Sequence, residues 1–525
     1  MTMRLSIVDI AVVAISVLCI VWWALRHGRS GSSKAYFLAG RSMPWWGVGL
    51  SLFAASISST TLIGQTGDAY STGLAVFNYN LVGVFVMVFF ATFLLPVYIR
   101  TGIFTLPEYL ERRFDARSRY YFSFVSILGN VFLDAAGALY AAALIVKLLL
   151  PEADIRIIVL FFAALAASYT ISGGLSSAIN AEILQASILL VGSILLAVWV
   201  AASGGFDYLR SLIAAGDPLV RLIRPLDDPA TPWLALAVGM PVTGLYFWAN
   251  NQTLVQRVLS ARSLDEGRKG VMLNGAITLL TLLLFAIPGV MCRHLFPGLE
   301  RPDMVYPAMI LNLMPVGLLG LMVAVLFAAL TSTLGAIMNA TSTLFTMDFY
   351  RKLDPRASDR RLVRVGKIVS LVVVVIAALW APQIGRFDSL LKYYQEILSY
   401  LAPPVVAAFL LGIFSRRVNG HGVFAGLLAG LGVALLLMLF RTQIFGNMHF
   451  LFIVPILFLF SMVLMVAVSL LTAPPTADRL RGNLFSIRAF RAERAARHRN
   501  GWWNDYLLWG MVLLVCGGAL LVLFS

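Results

Sequence analysis

Five of the six residues from Ser56 to Thr61 carry hydroxyls, and only Ile57 interrupts them. The run AASISSTTLIG (54–64) lies inside an apolar stretch long enough to cross a membrane. In hydrocarbon every polar group needs a partner within the protein. Helix–helix contacts are met by one or two hydroxyls on a single face, whereas these surround the helix. The segment is therefore expected to unwind and turn carbonyls and hydroxyls toward a polar guest, as broken helices do at a secondary transporter's binding site.

A second polar concentration, ALTSTLGAIMNATSTLFT, fills 329–346. Helical spacing puts Ala329, Ser332, Thr333 and Ala336 on one face, a small-residue stripe that lets a neighbouring helix approach. Set beside an unwound 54–57 segment, the stripe has another use. The hydroxyls of Ser332 and Thr333 and the carbonyls of Ala54, Ile57 and Ala329 make five neutral oxygens. Such a set suits a bare monovalent hard cation, which is costly to dehydrate unless oxygens replace its water. A divalent ion would ask for carboxylates.

The elements that must position these groups are membrane helices. Of the 525 residues 60% are apolar and 12% charged, with mean hydropathy +0.87, outside the range of soluble domains. Fourteen apolar runs of about the length needed to span hydrocarbon recur from 7–25 to 503–524, including 45–71, 155–171, 232–250, 318–347 and 387–414. The first is followed by Arg26 and Arg29 without a small-residue cleavage pattern, so it reads as a span rather than a leader. The net charge of +15 does not mark a nucleic-acid surface. With the amino terminus outside, 29 of the 40 Lys and Arg fall in inner loops, the bias that orients membrane proteins. Both termini are then expected outside the cell membrane.

No soluble domain is present. The longest polar stretch, 472–502, spaces its Arg residues against Phe485, Ile487 and Phe490, which predicts an amphipathic helix on the anionic inner leaflet. The stretch 204–230 reads as an irregular outer lid, and 293–317 as the place for a short amphipathic helix. Cys19, Cys292 and Cys516 are scattered, and the five His show no ligand spacing, which leaves metal catalysis without a foothold. No nucleophile–base constellation argues for an enzyme. A channel would need a continuous polar stripe or a charged ring.

At these residues the chain resembles the sodium:solute symporter family, within it the sodium/glucose cotransporter branch. The likeness rests on YFLAGRSMPWW (36–46), TLPEYLERRF (105–114), SGGLSSAINAEILQ (172–185), YFWANNQTLVQR (246–257), TSTLFTMDFYRK (341–352) and YYQEILSYLAPPVVAAFLLGIFSRRVN (393–419). It implies an all-α polytopic fold with a LeuT-type core of two inverted five-helix repeats, one helix before it and three after. The expected division is an extra helix at 1–30, a transport core at 44–414 and a C-terminal part at 415–525. It also implies sodium as coupling ion, held by Ala54, Ile57, Ala329, Ser332 and Thr333, with no organic cofactor and no obligate protein partner.

Gln395 and Trp248 match the branch's sugar pocket. Ser56, Thr61, Asn80, Gly244, Phe247 and Thr278 occupy its remaining positions, several with a changed residue type: Asn80 replaces a Glu, Phe247 a Tyr and Thr278 a Lys. Gly335 and Ala336 stand where members with a second sodium carry hydroxyls, so one sodium is expected per solute. The resemblance thus implies import of a small neutral solute, a sugar or polyol. A carboxylate or other organic solute on the same scaffold, or a nutrient sensor built on it, stays open. Asp134, an intramembrane carboxylate, is a functional candidate. Lys147 is expected to snorkel, and Glu182 to pair with a basic loop residue. Pro403–Pro404 are expected to break their span as a hinge.

Overall fold

The computed structural model describes residues 6–27, 32–57, 59–149, 152–228, 231–299, 301–384, 390–446, 448–497 and 505–525. Within them the chain is helical. Eleven helices are long and apolar enough to cross a membrane, and a pair bent by 60° makes a twelfth span. In chain order the elements are α1 (Ile7–His27), then the bent pair α2 (Trp45–Ser56) and α3 (Ser59–Thr72). There follow α4 (Leu74–Thr101), α5 (Ala116–Ala143), α6 (Arg156–Ser168) and α7 (Gly174–Ala215). Next come α8 (Trp233–Leu245), α9 (Gln252–Leu259), α10 (Leu264–Leu295) and α11 (Leu318–Leu353). The last are α12 (Asp359–Ile384), α13 (Leu390–Phe414), α14 (Gly420–Leu439), α15 (Phe450–Leu471) and α16 (Tyr506–Leu523). Two of the fourteen expected runs, 155–171 and 232–250, correspond to the shorter helices α6 and α8, which accounts for the lower number of full-length spans.

Helix α11 is the buried axis of the bundle, with hardly a residue exposed, whereas α1 and α16 present apolar side chains outward as a lipid-facing surface requires. The carboxylate of Asp9 on α1 ties the two together. Its Oδ1 accepts the N–H groups of Gly317 and Gly320 at 2.8 Å each, capping the start of α11, while Ser6 donates to Oδ2. At the other end of α1 the carbonyls of Ala24 and His27 accept from Ser177 and Ser176 of α7. Gly174, where α7 begins, has φ +63°, and a Cβ there would fall 2.6 Å from Tyr36. Only glycine permits that turn.

Several segments depart from their expected form. Pro403 and Pro404 do not break α13, which stays helical from Leu390 to Phe414. The Pro404 ring packs over Gly430 of α14, where a Cβ would sit 2.7 Å from it. Neighbouring helices hold such a segment straight even with backbone bonds missing. The 204–230 stretch is largely ordered rather than an irregular lid. It holds the helix Phe206–Ala215 and a turn at Pro218–Val220, and the N–H of Leu222 donates to the Phe524 carbonyl. The expected short helix in 293–317 is Val305–Leu313. The basic loop contains the helix Ile487–Arg497; Phe485 packs against Phe93 and Phe414, Phe490 packs against Phe93, and Ile487 is exposed. Residues 498–502 of that loop lie outside the described residues, as do Ser58 and the Lys147 side chain.

Candidate functional site: a cavity at two helix breaks

Helix α2 ends at Ser56, and Ile57 leaves helical geometry with φ −90° and ψ 81°. The chain resumes as α3 at 60° to the first half, the break expected from the hydroxyl run. A second break was not expected. Helix α8 runs through a wide-turn segment at Tyr246–Asn250 and stops at Asn251, which is extended (φ −86°, ψ 121°). The Asn251 side chain then caps α9 by accepting from Thr253 N at 2.8 Å. The polar run Asn250–Thr253, at the end of the 232–250 apolar run, is the sequence feature that coincides with this break.

At the first break the oxygens expected to hold a cation gather. Ser332 Oγ donates to the Ala54 carbonyl at 3.1 Å and lies 2.9 Å from the Ala329 carbonyl, which also accepts from Thr333 Oγ1 at 3.0 Å. Three hydrogen-bond contacts thus link four of the five oxygens in a chain, with Ser332 joining the α2 carbonyl to the α11 one. The fifth residue, Ile57, lines the adjoining cavity together with Thr333. All five residues are at most 6% exposed. The set is neutral and made of short, rigid attachments, which fits a dehydrated monovalent cation better than a divalent one. No cluster of His, Cys, Asp or Glu suited to a metal occurs among the described residues.

The cavity, about 130 Å³, lies between the two breaks. A void needs about 10–15 Å³ to hold one water, so this one has room for on the order of ten, comparable to a monosaccharide. Its wall contains every residue expected to bind solute: Ser56, Thr61, Asn80, Gly244, Phe247, Trp248, Thr278 and Gln395. Asn80 Nδ2 donates to Gln65 Oε1 at 3.1 Å and Thr281 Oγ1 at 2.7 Å, which fixes its amide across three helices. The hydroxyls of Thr278 and Thr253 have no hydrogen-bond partner among the described residues. Buried polar atoms left open in this way are costly unless a ligand completes them. Gly83 makes room for the Trp248 indole, since a Cβ would fall 2.4 Å from Nε1.

Gln65, Tyr79, Asn251 and Thr253 also line the cavity and were not singled out from sequence. Gln65 follows Thr61 by one helical turn, so the spacing itself would have found it. Asp134 is on the wall too, accepting a hydrogen bond from Tyr394.

Beyond the cavity, two ionic clusters brace the Arg-rich end of the bundle. Glu182 of α7 pairs with Arg257 of α9 and accepts from Ser51 of α2. The basic partner expected for Glu182 is thus Arg257, carried on the short helix α9. Asp348 of α11 accepts from Thr105 (2.7 Å), Ser123 (2.6 Å) and Arg119 (2.6 Å). The TLPEYLERRF and TSTLFTMDFYRK stretches are therefore joined in space.

A model of the sodium:solute symporter family matches residues 36–430. The chain belongs to the sodium:solute symporter family. It is 35% identical to the sodium/glucose cotransporter 2 of Rattus norvegicus, over 93% of this chain and 82% of that one. It is 34% identical to a sodium/mannose cotransporter of Bos taurus, over 98% and 96%. It is also 34% identical to the sodium/myo-inositol cotransporter 2 of Sus scrofa, over 90% and 77%. In fold it is similar to a substrate-bound, outward-open Na+-coupled sialic acid symporter, with TM-score 0.79 at 22% identity over 90% of this chain and 99% of that one. The sodium:solute symporter family is one of transporters, so this symporter is a multi-pass membrane protein of that kind.

Proposed function

We propose that this chain is a sodium-coupled symporter that imports a small polyhydroxylated solute, a sugar or cyclitol, by alternating access. The observation that carries the reading is the meeting of the Ala54, Ala329, Ser332 and Thr333 oxygens at the α2/α3 break, on the rim of the solute cavity. The Ser332 hydroxyl reaches both the Ala54 and the Ala329 carbonyl. A cation held by these oxygens would draw the two halves of the break against α11. Sodium would thereby order the cavity wall at Ser56, Ile57 and Thr61, which couples ion to solute. The second break, at Asn251, gives the α8/α9 span a matching position, in keeping with two inverted five-helix repeats. The Arg-rich loops would face the cytoplasm and both termini the outside.

The wall supports a polyol. Gln395 supplies donor and acceptor, Thr253 and Thr278 supply open hydroxyls, and Trp248 supplies a face for a ring. A membrane potential of roughly 100 mV contributes about 2.3 kcal/mol per charge, and a tenfold sodium gradient about 1.4 kcal/mol. Together, at about 3.7 kcal/mol, they sustain roughly 500-fold accumulation of an uncharged solute with one sodium.

The test is uptake into proteoliposomes of labelled sugars, cyclitols and carboxylates, each with and without an inward sodium gradient. Sodium-driven accumulation of a sugar or cyclitol is expected. Uptake unchanged when choline replaces sodium would overturn the coupling. Acceptance of carboxylates alone would overturn the solute class, and saturable binding without uptake would make the chain a sensor.

A further inference from the structure

We propose that the solute carries a protonated amino group, which Asp134 binds inside the cavity. The inference rests on the reading of this cavity as the solute site, and narrows it from a neutral polyol to an aminated one.

Among the described residues, Asp134 is the single charged side chain on the cavity wall. It makes no ion pair among the described residues, and the polar contact identified for it is the hydroxyl of Tyr394. An intramembrane carboxylate of this kind is rare and ordinarily finds a cation. Among the described residues the wall supplies none: Thr278, Asn80 and Gln65, which also line the cavity, are neutral.

The surroundings are those that suit an ammonium. Tyr79, Phe247, Trp248 and Tyr394 line the same cavity, and the Phe247 and Trp248 rings meet edge to face, with centroids 4.9 Å apart. Aromatic faces attract cations, and several together with a carboxylate form a cage for an alkylammonium. The backbone is also irregular at both positions. Asp134 sits in a wide-turn stretch at Gly129–Ala135, and Phe247 and Trp248 sit in another at Tyr246–Asn250. Single wide turns of this type recur at functional sites because they re-aim side chains out of the helical register.

The three hydrogens of an ammonium could meet Asp134 and neighbouring hydroxyls, while the remaining hydroxyls of the solute met Gln395, Thr253 and Thr278. A purely structural Asp134, holding Tyr394 in place, would not discriminate between an amine and a hydroxyl on the solute.

The experiment uses the full chain in proteoliposomes with an inward sodium gradient at neutral pH. Matched pairs differing by one group are compared: glucose with glucosamine, mannose with mannosamine, and myo-inositol with an aminodeoxy-inositol. At least one amine should compete at least tenfold more strongly than its hydroxyl parent. In Asp134→Asn that ratio should fall to near one. The wild-type ratio decides the matter even if Asp134→Asn does not fold. Ratios near one in every wild-type pair, with sodium-driven uptake of the parents intact, would overturn this inference and spare the symporter reading. Loss of sodium-driven uptake for both members of every pair would overturn both.

Discussion

Arg257 and Glu182 form a two-point ion pair withdrawn from solvent, with Nη2 2.5 Å from Oε1 and Nε 3.2 Å from Oε2. Ser51 completes the carboxylate, and the Thr253 carbonyl accepts from the guanidinium. One turn of α9 separates Arg257 from Thr253 on the cavity wall, so the pair ties α2, α7 and α9 together just beyond the site. Removing one member strands a buried charge, at a cost of about 3–5 kcal/mol. Glu182→Gln should lower the melting temperature of the detergent-solubilised protein sharply, and Glu182→Gln with Arg257→Gln should recover part of it. Equal stability of the single variant and wild type would show that the pair braces nothing.

Ser332→Ala and Thr333→Ala should each raise the sodium concentration for half-maximal uptake. Each loses one oxygen of about five, and a single contact of this size is worth about 0.5–1.5 kcal/mol, or up to roughly tenfold. Gly335 and Ala336 are buried and bring no side-chain oxygen, so the sodium dependence should have a Hill coefficient near one. Two charges moved per neutral solute, or a clearly sigmoid sodium curve, would contradict this.

Gln395→Ala should cost most of the solute affinity while sodium binding changes little. Gln395 lines the cavity from α13, and the oxygens of the ion cluster come from α2 and α11. Solute half-saturation and sodium half-saturation, measured on the same preparation, separate the two effects. Normal solute affinity in Gln395→Ala would move solute recognition elsewhere.

Glu111, between α4 and α5, gives a pH prediction. Burial alone raises its pKa, but hydrogen bonds from Lys352 (2.8 Å) and Arg119, and their charges, outweigh it and hold the carboxyl below its usual 4.5. A lowered folded value contributes stability above the unfolded pKa and loses it as pH falls through the folded one. Glu111→Gln should therefore melt earlier than wild type near pH 7, and the gap should narrow as pH falls below the usual 4.5 and through the lowered folded value. A gap that widens with acid would reverse the sign of the interaction.

Much of this site was legible in the sequence because polar residues inside apolar runs have few physical uses. The hydroxyls after Ala54 and the stripe from Ala329 to Thr333 pointed to one break and one buried helix, and the structure places them in contact. The second break at Asn251 was not legible as one because Asn250–Thr253 closes the 232–250 apolar run, where a polar stretch reads as the end of a span. Asp134 was legible as a charge in a membrane, but not as a cavity residue. Its direction depends on a wide turn that helical periodicity does not contain. Asp9 was missed for a related reason: its partners are backbone N–H groups 308 and 311 residues away. The Pro403–Pro404 pair misled because local propensity yields to packing against Gly430.

The cap that Asp9 places on α11 also bears on how the protein is made. Helix α1 docks on a helix whose first turn is translated 308 residues later. At about 5–20 residues per second, that is a delay of roughly 15–60 s. Among the described residues, Ser6, at the same end of α1, is the partner of the Asp9 carboxylate already made when α1 emerges. Insertion of α1 and its docking on α11 are therefore events separated in time.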